Sequence, residues 1–266
     1  MADISLSSFE QPSQHEAVSD IIRRRSTNPT DVRAALLQGL DLSGVRAVLD
    51  LGCGFGFMTE AIAQRVAPDA RIVGVDACPA NGAPYLARVA AAGRTGQFVC
   101  RRIERQLDWP DDSFDLVVAS YALYFFPAVL PEVARVLAPQ GVFLAVTHTA
   151  ASCRDLACVL GLPESDSLLL AGVRDFCAES GADRLAPWFE DVVRFEYHNS
   201  LVFDAAHQND LLTYLRFKLL LLAPQAALAG ELAEALAHAA EVLACLGRVV
   251  LEKNDVAFRC RRPLRR

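Results

Sequence analysis

No apolar run in this 266-residue sequence approaches the roughly 18 residues that a membrane-spanning helix needs. The closest, Leu219 to Ala223, is cut off upstream by Arg216 and Lys218, so no membrane partner is expected. A basic excess is also missing. The 26 Lys and Arg face 32 Asp and Glu, leaving a net charge of −6. Phosphate neutralisation needs a basic face, which argues against nucleic acid as the main partner. The arginines at 23–25, 101–105 and 259–266 are too scattered to make a groove and read as solvated faces. The eight cysteines contain no C-x-x-C pair, and the tightest spacing, Cys153 to Cys158, does not complete a zinc pattern. No metal is expected, and the thiols read as free, small core residues. The opening Met1-Ala2-Asp3-Ile4 lacks the basic-then-apolar pattern of a signal peptide, so a cytoplasmic location is expected.

What is present is core material. With 53% hydrophobic and 22% charged residues, the composition is the reverse of a disordered chain. Residues 1–44 are polar at first and then read as two short helices, an N-terminal helical lid. From Val45 the texture alternates. Short apolar runs at 45–51, 71–75, 97–100, 114–119 and 142–147 read as buried strands. Helical stretches at 58–66, 85–92 and 130–137 separate most of them. Strands and helices at this pitch imply right-handed crossovers and a doubly wound α/β fold, mostly parallel, with helices on both faces. Downstream, Ser167–Ser180 reads as helix and Val192–Val202 as one strand. Two Leu- and Ala-rich helices at 209–222 and 225–246 read as a cap inserted over about 205–246. Arg248–Arg259 reads as two strand arms about the turn pair Asn254-Asp255. The domain therefore spans 45–266, closed over its acceptor by the lid and the cap.

The most informative segment is Val48-Leu49-Asp50-Leu51-Gly52-Cys53-Gly54-Phe55-Gly56, directly after a strand and before a helix. Its glycines permit a tight turn and let a ligand touch bare backbone. The dinucleotide fingerprint G-x-G-x-x-G would need glycine where Phe57 stands, which disfavours a nicotinamide dehydrogenase. Asp50 would also sit poorly beside two phosphates, so a cationic ligand suits the loop better. Asp76, at the end of the next strand, is placed for a carboxylate that accepts from ribose hydroxyls.

In these residues the chain resembles the class I S-adenosylmethionine-dependent methyltransferases of small-molecule type. Asp50 to Gly56 resembles their first motif and Val73-Gly74-Val75-Asp76 their second. Trp109 to Val117 resembles the lead into their fourth strand, and Arg135 to Gly141 their post-fourth motif. The resemblance implies a Rossmann-like fold and S-adenosyl-L-methionine as cofactor. It places that cofactor on Asp50, Gly52, Cys53, Gly54, Gly56, Asp76, Ala77, Ile103, Glu104 and Ser120. The chain departs from the pattern in two places. Ile103, with Glu104 beside it, stands where an adenine-binding aspartate is common, and Asn81 falls near the position that packs on the adenine face.

The acceptor is expected beyond the carboxyl ends of the strands. The segment Ser120 to Pro127 has no D/N-P-P-Y/F motif, which argues against methylation of amino groups in nucleic acid or protein glutamine. Its aromatics suggest an apolar acceptor site reached by Tyr121 and Tyr124. His148, past the fifth strand, is placed to take a proton from a nucleophile, whereas His15, His207 and His238 read as surface residues. The expected activity is methyl transfer to a small, largely apolar or aromatic metabolite, as in specialised-metabolite biosynthesis. Rival readings keep the cofactor for cyclisation or decarboxylation, or make the chain a non-enzymatic cofactor-bound partner. A small-molecule acceptor and a homodimer are the partners this reading allows.

Overall fold

A computed structural model of the chain describes residues 11–162, 175–222 and 230–265. They form two compact units. The first contains residues up to Asp31, His148–Arg174 and His198–Asn254; the second contains Val32–Thr147, Asp175–Tyr197 and Asp255 onward.

The second unit is built on a seven-stranded sheet. Its strands are β1 (Ala47–Leu51), β2 (Arg71–Asp76), β3 (Thr95–Cys100), β4 (Phe114–Ser120), β5 (Leu137–His148), β6 (Phe189–Tyr197) and β9 (Asp255–Pro263). The order is β3-β2-β1-β4-β5-β9-β6. The pairs from β3 to β5 are parallel, and β6 with β9 is antiparallel. β1 reads Ala-Val-Leu-Asp-Leu and is buried along almost its whole length, as a strand covered by helices on both faces must be. Helices α2 (Val32–Leu36), α3 (Phe57–Ala63), α4 (Gly82–Ala91), α5 (Leu130–Val136) and α7 (Gly181–Leu185) belong to this unit. Leu36, Ile62, Ile72, Tyr85, Val89 and Leu144 lie in one core cluster. The Rossmann-like arrangement is the one expected.

The two later motifs are joined by an ion network. Arg135 Nη1 reaches Asp111 at 2.8 Å and donates to the Trp109 carbonyl, while Nη2 reaches Glu132 at 2.7 Å. These hydrogen bonds hold the Arg135 guanidinium well above its usual pKa and the Glu132 carboxyl below its own. Their role is to seat the lead into β4.

The first unit contains α1 (Pro12–Arg25), α6 (Ala150–Val159), α8 (Gln208–Leu222), α9 (Glu231–Leu246) and a two-stranded sheet of β7 (Ser200–Asp204) with β8 (Arg248–Glu252). Proline in the first turn and three arginines in the last suit the ends of α1. The arginine run is not merely solvated: Arg25 pairs with Asp210 of α8 at 2.8 Å, and Arg24 with the same carboxylate at 3.3 Å. His15 is half-buried rather than fully exposed. Its ring stacks on Phe217 at 5.1 Å, and burial beside Lys218 lowers its pKa to about 4.

Several element boundaries differ from expectation. Arg248–Arg259 is not a hairpin, because β8 pairs with β7 while β9 crosses into the large sheet beside β6. Val192–Val202 is two strands, broken at His198-Asn199, where the Asn199 amide bonds Asn254. Of the helix expected over 167–180, residues 167–174 lie outside the described part, and 176–180 form bends and a turn. Cys53, Cys78, Cys153, Cys177 and Cys260 are buried, but Cys100, Cys158 and Cys245 are exposed. Among the described residues no helix is long and apolar enough to cross a membrane.

Candidate cofactor and acceptor site

The strand order reverses between β1 and β4, since β2 and β3 lie on one side of β1 and β4 and β5 on the other. In an open α/β sheet this switch point opens a crevice at the carboxyl ends of the strands. The residues that follow β1, β2 and β4 meet there.

After β1 the chain turns through Gly52, Gly54 and Gly56, all with positive φ (+68°, +51° and +90°). The amides of Gly52 and Cys53 both donate to the Val75 carbonyl, at 2.8 and 3.1 Å, which fixes the turn to the end of β2. A Cβ on Gly52 would stand 2.4 Å from the Ala122 Cβ and 3.4 Å from the Phe126 ring. The aromatic segment after β4 therefore lies directly against the loop. A Cβ on Gly54 would meet nothing within 4 Å. Bare backbone there faces open space, as a close-approaching ligand requires.

Two carboxylates bracket the loop. Asp76 ends β2, where its Oδ2 accepts from the Gly54 amide at 2.9 Å. Its Oδ1 accepts from the Cys78 amide at 2.8 Å and from the Asn81 side-chain amide at 3.1 Å. Three of about four carboxylate acceptor positions are thus engaged by protein. Asp50 is 1% exposed in β1, and its Oδ2 accepts from the Thr59 hydroxyl. Burial, with Asp76 nearby as a further charge, raises its pKa from 3.8 to about 7 despite that bond. Burial first, and then Asp50 and Asp76, push the Cys53 thiol well above its usual value.

Asp50 Oδ1, Asn81 Oδ1 and Ser120 Oγ are buried without a hydrogen-bond partner among the described residues. Unpaired buried polar atoms are costly, and their convergence on one crevice marks a place where a ligand completes the bonding. An open backbone cradle, orphan acceptors and two carboxylates fit a ligand that brings hydroxyl and ammonium donors. Ala77 is half-buried beyond β2. Past β3, Ile103 is buried and Glu104 exposed; Arg101 donates its amide to the Asp76 carbonyl, which puts this stretch next to β2.

A family profile described as a methyltransferase domain matches residues 48–141. A trans-aconitate 2-methyltransferase of Shigella flexneri is 30% identical over 182 residues, 62% of this chain and 66% of its own length. The chain thus matches just under two thirds of that relative. A methyltransferase structure from Bacillus halodurans superposes with a TM-score of 0.57 at 18% identity, covering 88% of this chain and 99% of its own. A Haemonchus contortus phosphoethanolamine N-methyltransferase superposes with a TM-score of 0.56 at 16% identity, over 98% of this chain and 60% of its own. Over residues 48–141 the chain is similar to a methyltransferase domain, and its fold is that of the class I S-adenosylmethionine-dependent methyltransferases.

On this likeness, the loop residues and Asp76 would hold S-adenosylmethionine. Asp76→Ala removes charge-assisted bonds that are each worth roughly 1.5–3 kcal/mol. Its affinity for S-adenosylhomocysteine, measured by calorimetry, is expected to fall about tenfold or more with a native circular dichroism spectrum. Unaltered affinity would take Asp76 out of the site.

On the other side of the crevice, Tyr121 directly follows β4, and its amide donates to the Val146 carbonyl at 2.8 Å. It holds φ +54°, a left-handed angle that an aromatic side chain seldom adopts. Its phenol hydrogen-bonds Asp255, and burial with the neighbouring Asp255 charge pushes its pKa well up. Asp255 is 2% exposed and stands opposite Tyr197 in the β6–β9 ladder. Tyr124 is buried, with its ring 4.5 Å from that of Phe125. His148 is half-buried at the last position of β5 and is the first residue of its segment of the other compact unit.

Sequence reading missed Thr59, Asp255 and the bond from Asn81 to Asp76. Thr59 had a local signal, since a hydroxyl in the first turn of the helix after a glycine loop points back to the strand end. Asp255, 134 positions from Tyr121, had none.

Proposed function

We propose that this methyltransferase transfers a methyl group from S-adenosylmethionine to a small, neutral, largely apolar or aromatic acceptor. The carrying observation is the bare Gly54 cradle between two carboxylates, with an aromatic segment packed against the same loop. When bound, the cofactor supplies a sulfonium-activated methyl group, and the displacement needs mainly alignment and exclusion of water. Tyr124, Phe125 and Phe126 offer apolar surface for that purpose. The Tyr121 hydroxyl bonds Asp255, and a phenol oxygen can also accept from an acceptor's O–H or N–H. The Shigella relative is named for a carboxylic acid substrate. A buried carboxyl group bonded to Tyr121 favours a neutral acceptor over a polyanion here.

His148, the last residue of β5, is the candidate proton acceptor. His148→Ala is expected to lower turnover with S-adenosylhomocysteine affinity unchanged, and to erase the acid limb of the pH–rate profile. A variant that keeps both turnover and acid limb would make His148 structural.

Incubation of the protein with methyl-labelled S-adenosylmethionine and fractionated metabolites tests the reaction. Label recovered in a product one methylene heavier than its precursor supports it. A product of unchanged mass supports cyclisation instead, and cofactor binding without any product favours a non-enzymatic role.

A further inference from the structure

A loop with three left-handed glycines is costly to order, because glycine loses more conformational freedom than any other residue. Unless the protein itself holds the shape, that cost falls on the ligand. Apparent affinity then drops by the fraction of molecules that are binding-competent.

The structure shows two grips on this loop, one on each side of Gly56. Arg88, from α4, places its guanidinium carbon 4.7 Å over the Phe55 ring, and its Nη1 donates to the Phe55 carbonyl at 3.1 Å. Phe55 is 3% exposed, so this grip is buried within the unit. Arg33, from α2, places its guanidinium carbon 4.8 Å over the Phe57 ring, and its Nη1 donates to the Phe57 carbonyl at 3.4 Å. The same nitrogen bonds Glu60 of α3 at 2.7 Å, which anchors it. Phe55 and Phe57 meet edge to face with centroids 6.3 Å apart. A guanidinium that binds a ring face and the carbonyl of the same residue fixes both side chain and peptide plane. Between the grips, a Cβ on Gly56 would stand 3.3 Å from the Tyr85 ring and 3.5 Å from Arg88 Cδ.

We propose that Arg33 and Arg88 are positioning residues that hold the glycine loop in its cofactor-ready shape, an inference that rests on reading that loop as the S-adenosylmethionine site. Neither residue lies in the four motifs by which the family is recognised. They reach the loop from elements 24 residues before Phe57 and 33 residues after Phe55.

Two measurements on the intact chain test this, with S-adenosylhomocysteine as the probe. The first is amide hydrogen exchange without ligand. Arg88→Ala is expected to speed exchange at residues 54–57 about tenfold while the amides of β1 and β4 keep wild-type protection. The second is calorimetric affinity, expected to weaken about tenfold in Arg88→Ala and to recover in part in Arg88→Lys, which keeps a cation over the ring but loses the planar fork. Arg33→Gln is read in the same way and carries the test if Arg88→Ala does not fold. Wild-type exchange in the loop, or wild-type affinity despite a loosened loop, overturns the proposal. A wild-type protein that fails to bind the probe sinks the cofactor reading itself, and the proposal with it, whereas unchanged exchange sinks the clamp alone.

Discussion

Asp50→Asn is expected to make the ligand-free protein more stable than wild type at pH 8, by up to about 4 kcal/mol. The charge at Asp50 is buried and carries one hydrogen bond, from Thr59, with Asp76 close by. Its pKa stands at about 7 in the fold against an ordinary value of 3.8. The folded protein therefore binds this proton more tightly than the unfolded chain does. Its contribution is fully present below pH 4 and is lost as pH rises through about 7. Asparagine has no such proton to lose. Denaturant unfolding of both proteins at pH 4.5, 6 and 8 should show the gap growing with pH, and a pH-independent gap would refute the argument. The same variant should bind S-adenosylmethionine more weakly at pH 8, because a carboxylate suits a cationic ligand in a dry crevice. A residue that costs stability where it serves binding is what a functional site looks like energetically.

That tension was visible in the sequence, since an aspartate inside a run of buried aliphatics needs a reason. The glycine loop, Asp76 and the strand–helix alternation were legible for a related cause: each depends on neighbours within a few residues. Val48 to Leu51 is apolar throughout and ends in glycine, so strand and turn follow from local chemistry alone. Arg248 to Arg259 shows where that logic fails. Asn254-Asp255 has the composition of a turn, yet the two arms part because β8 finds β7 and β9 finds β6. Pairing partners are chosen by burial across the fold, and no window of ten residues contains that choice. The same holds for His15, whose polar setting in α1 gave no sign of Phe217 two hundred positions away. In the site, Asn81 fell near a position expected to pack on a base. Its actual bond to Asp76 depends on the short 3₁₀ turn at Pro79–Asn81, which the sequence pattern did not resolve.

Gly54→Val should weaken S-adenosylhomocysteine binding at least about a hundredfold, some 2.7 kcal/mol or more, while the fold survives. Two costs add. An L residue in the left-handed region is strained by roughly 1–2 kcal/mol, and a β-branched one by more. The side chain would also occupy the open space in front of the loop, where the ligand must approach. Its neighbour two residues earlier separates this from a simple folding defect. A Cβ on Gly52 runs into the Ala122 Cβ at 2.4 Å, so Gly52→Val collides with protein, whereas a Cβ on Gly54 meets no protein atom within 4 Å. Gly52→Val should therefore lower the unfolding midpoint with or without ligand. Gly54→Val should show a ligand-free midpoint close to wild type, apart from its backbone strain, and none of the upward shift that saturating S-adenosylhomocysteine confers on the wild type. Thermal unfolding of the three proteins, with and without the ligand, separates the two roles. A Gly54→Val protein that still gains the wild-type shift would mean that the cofactor does not lie against this loop.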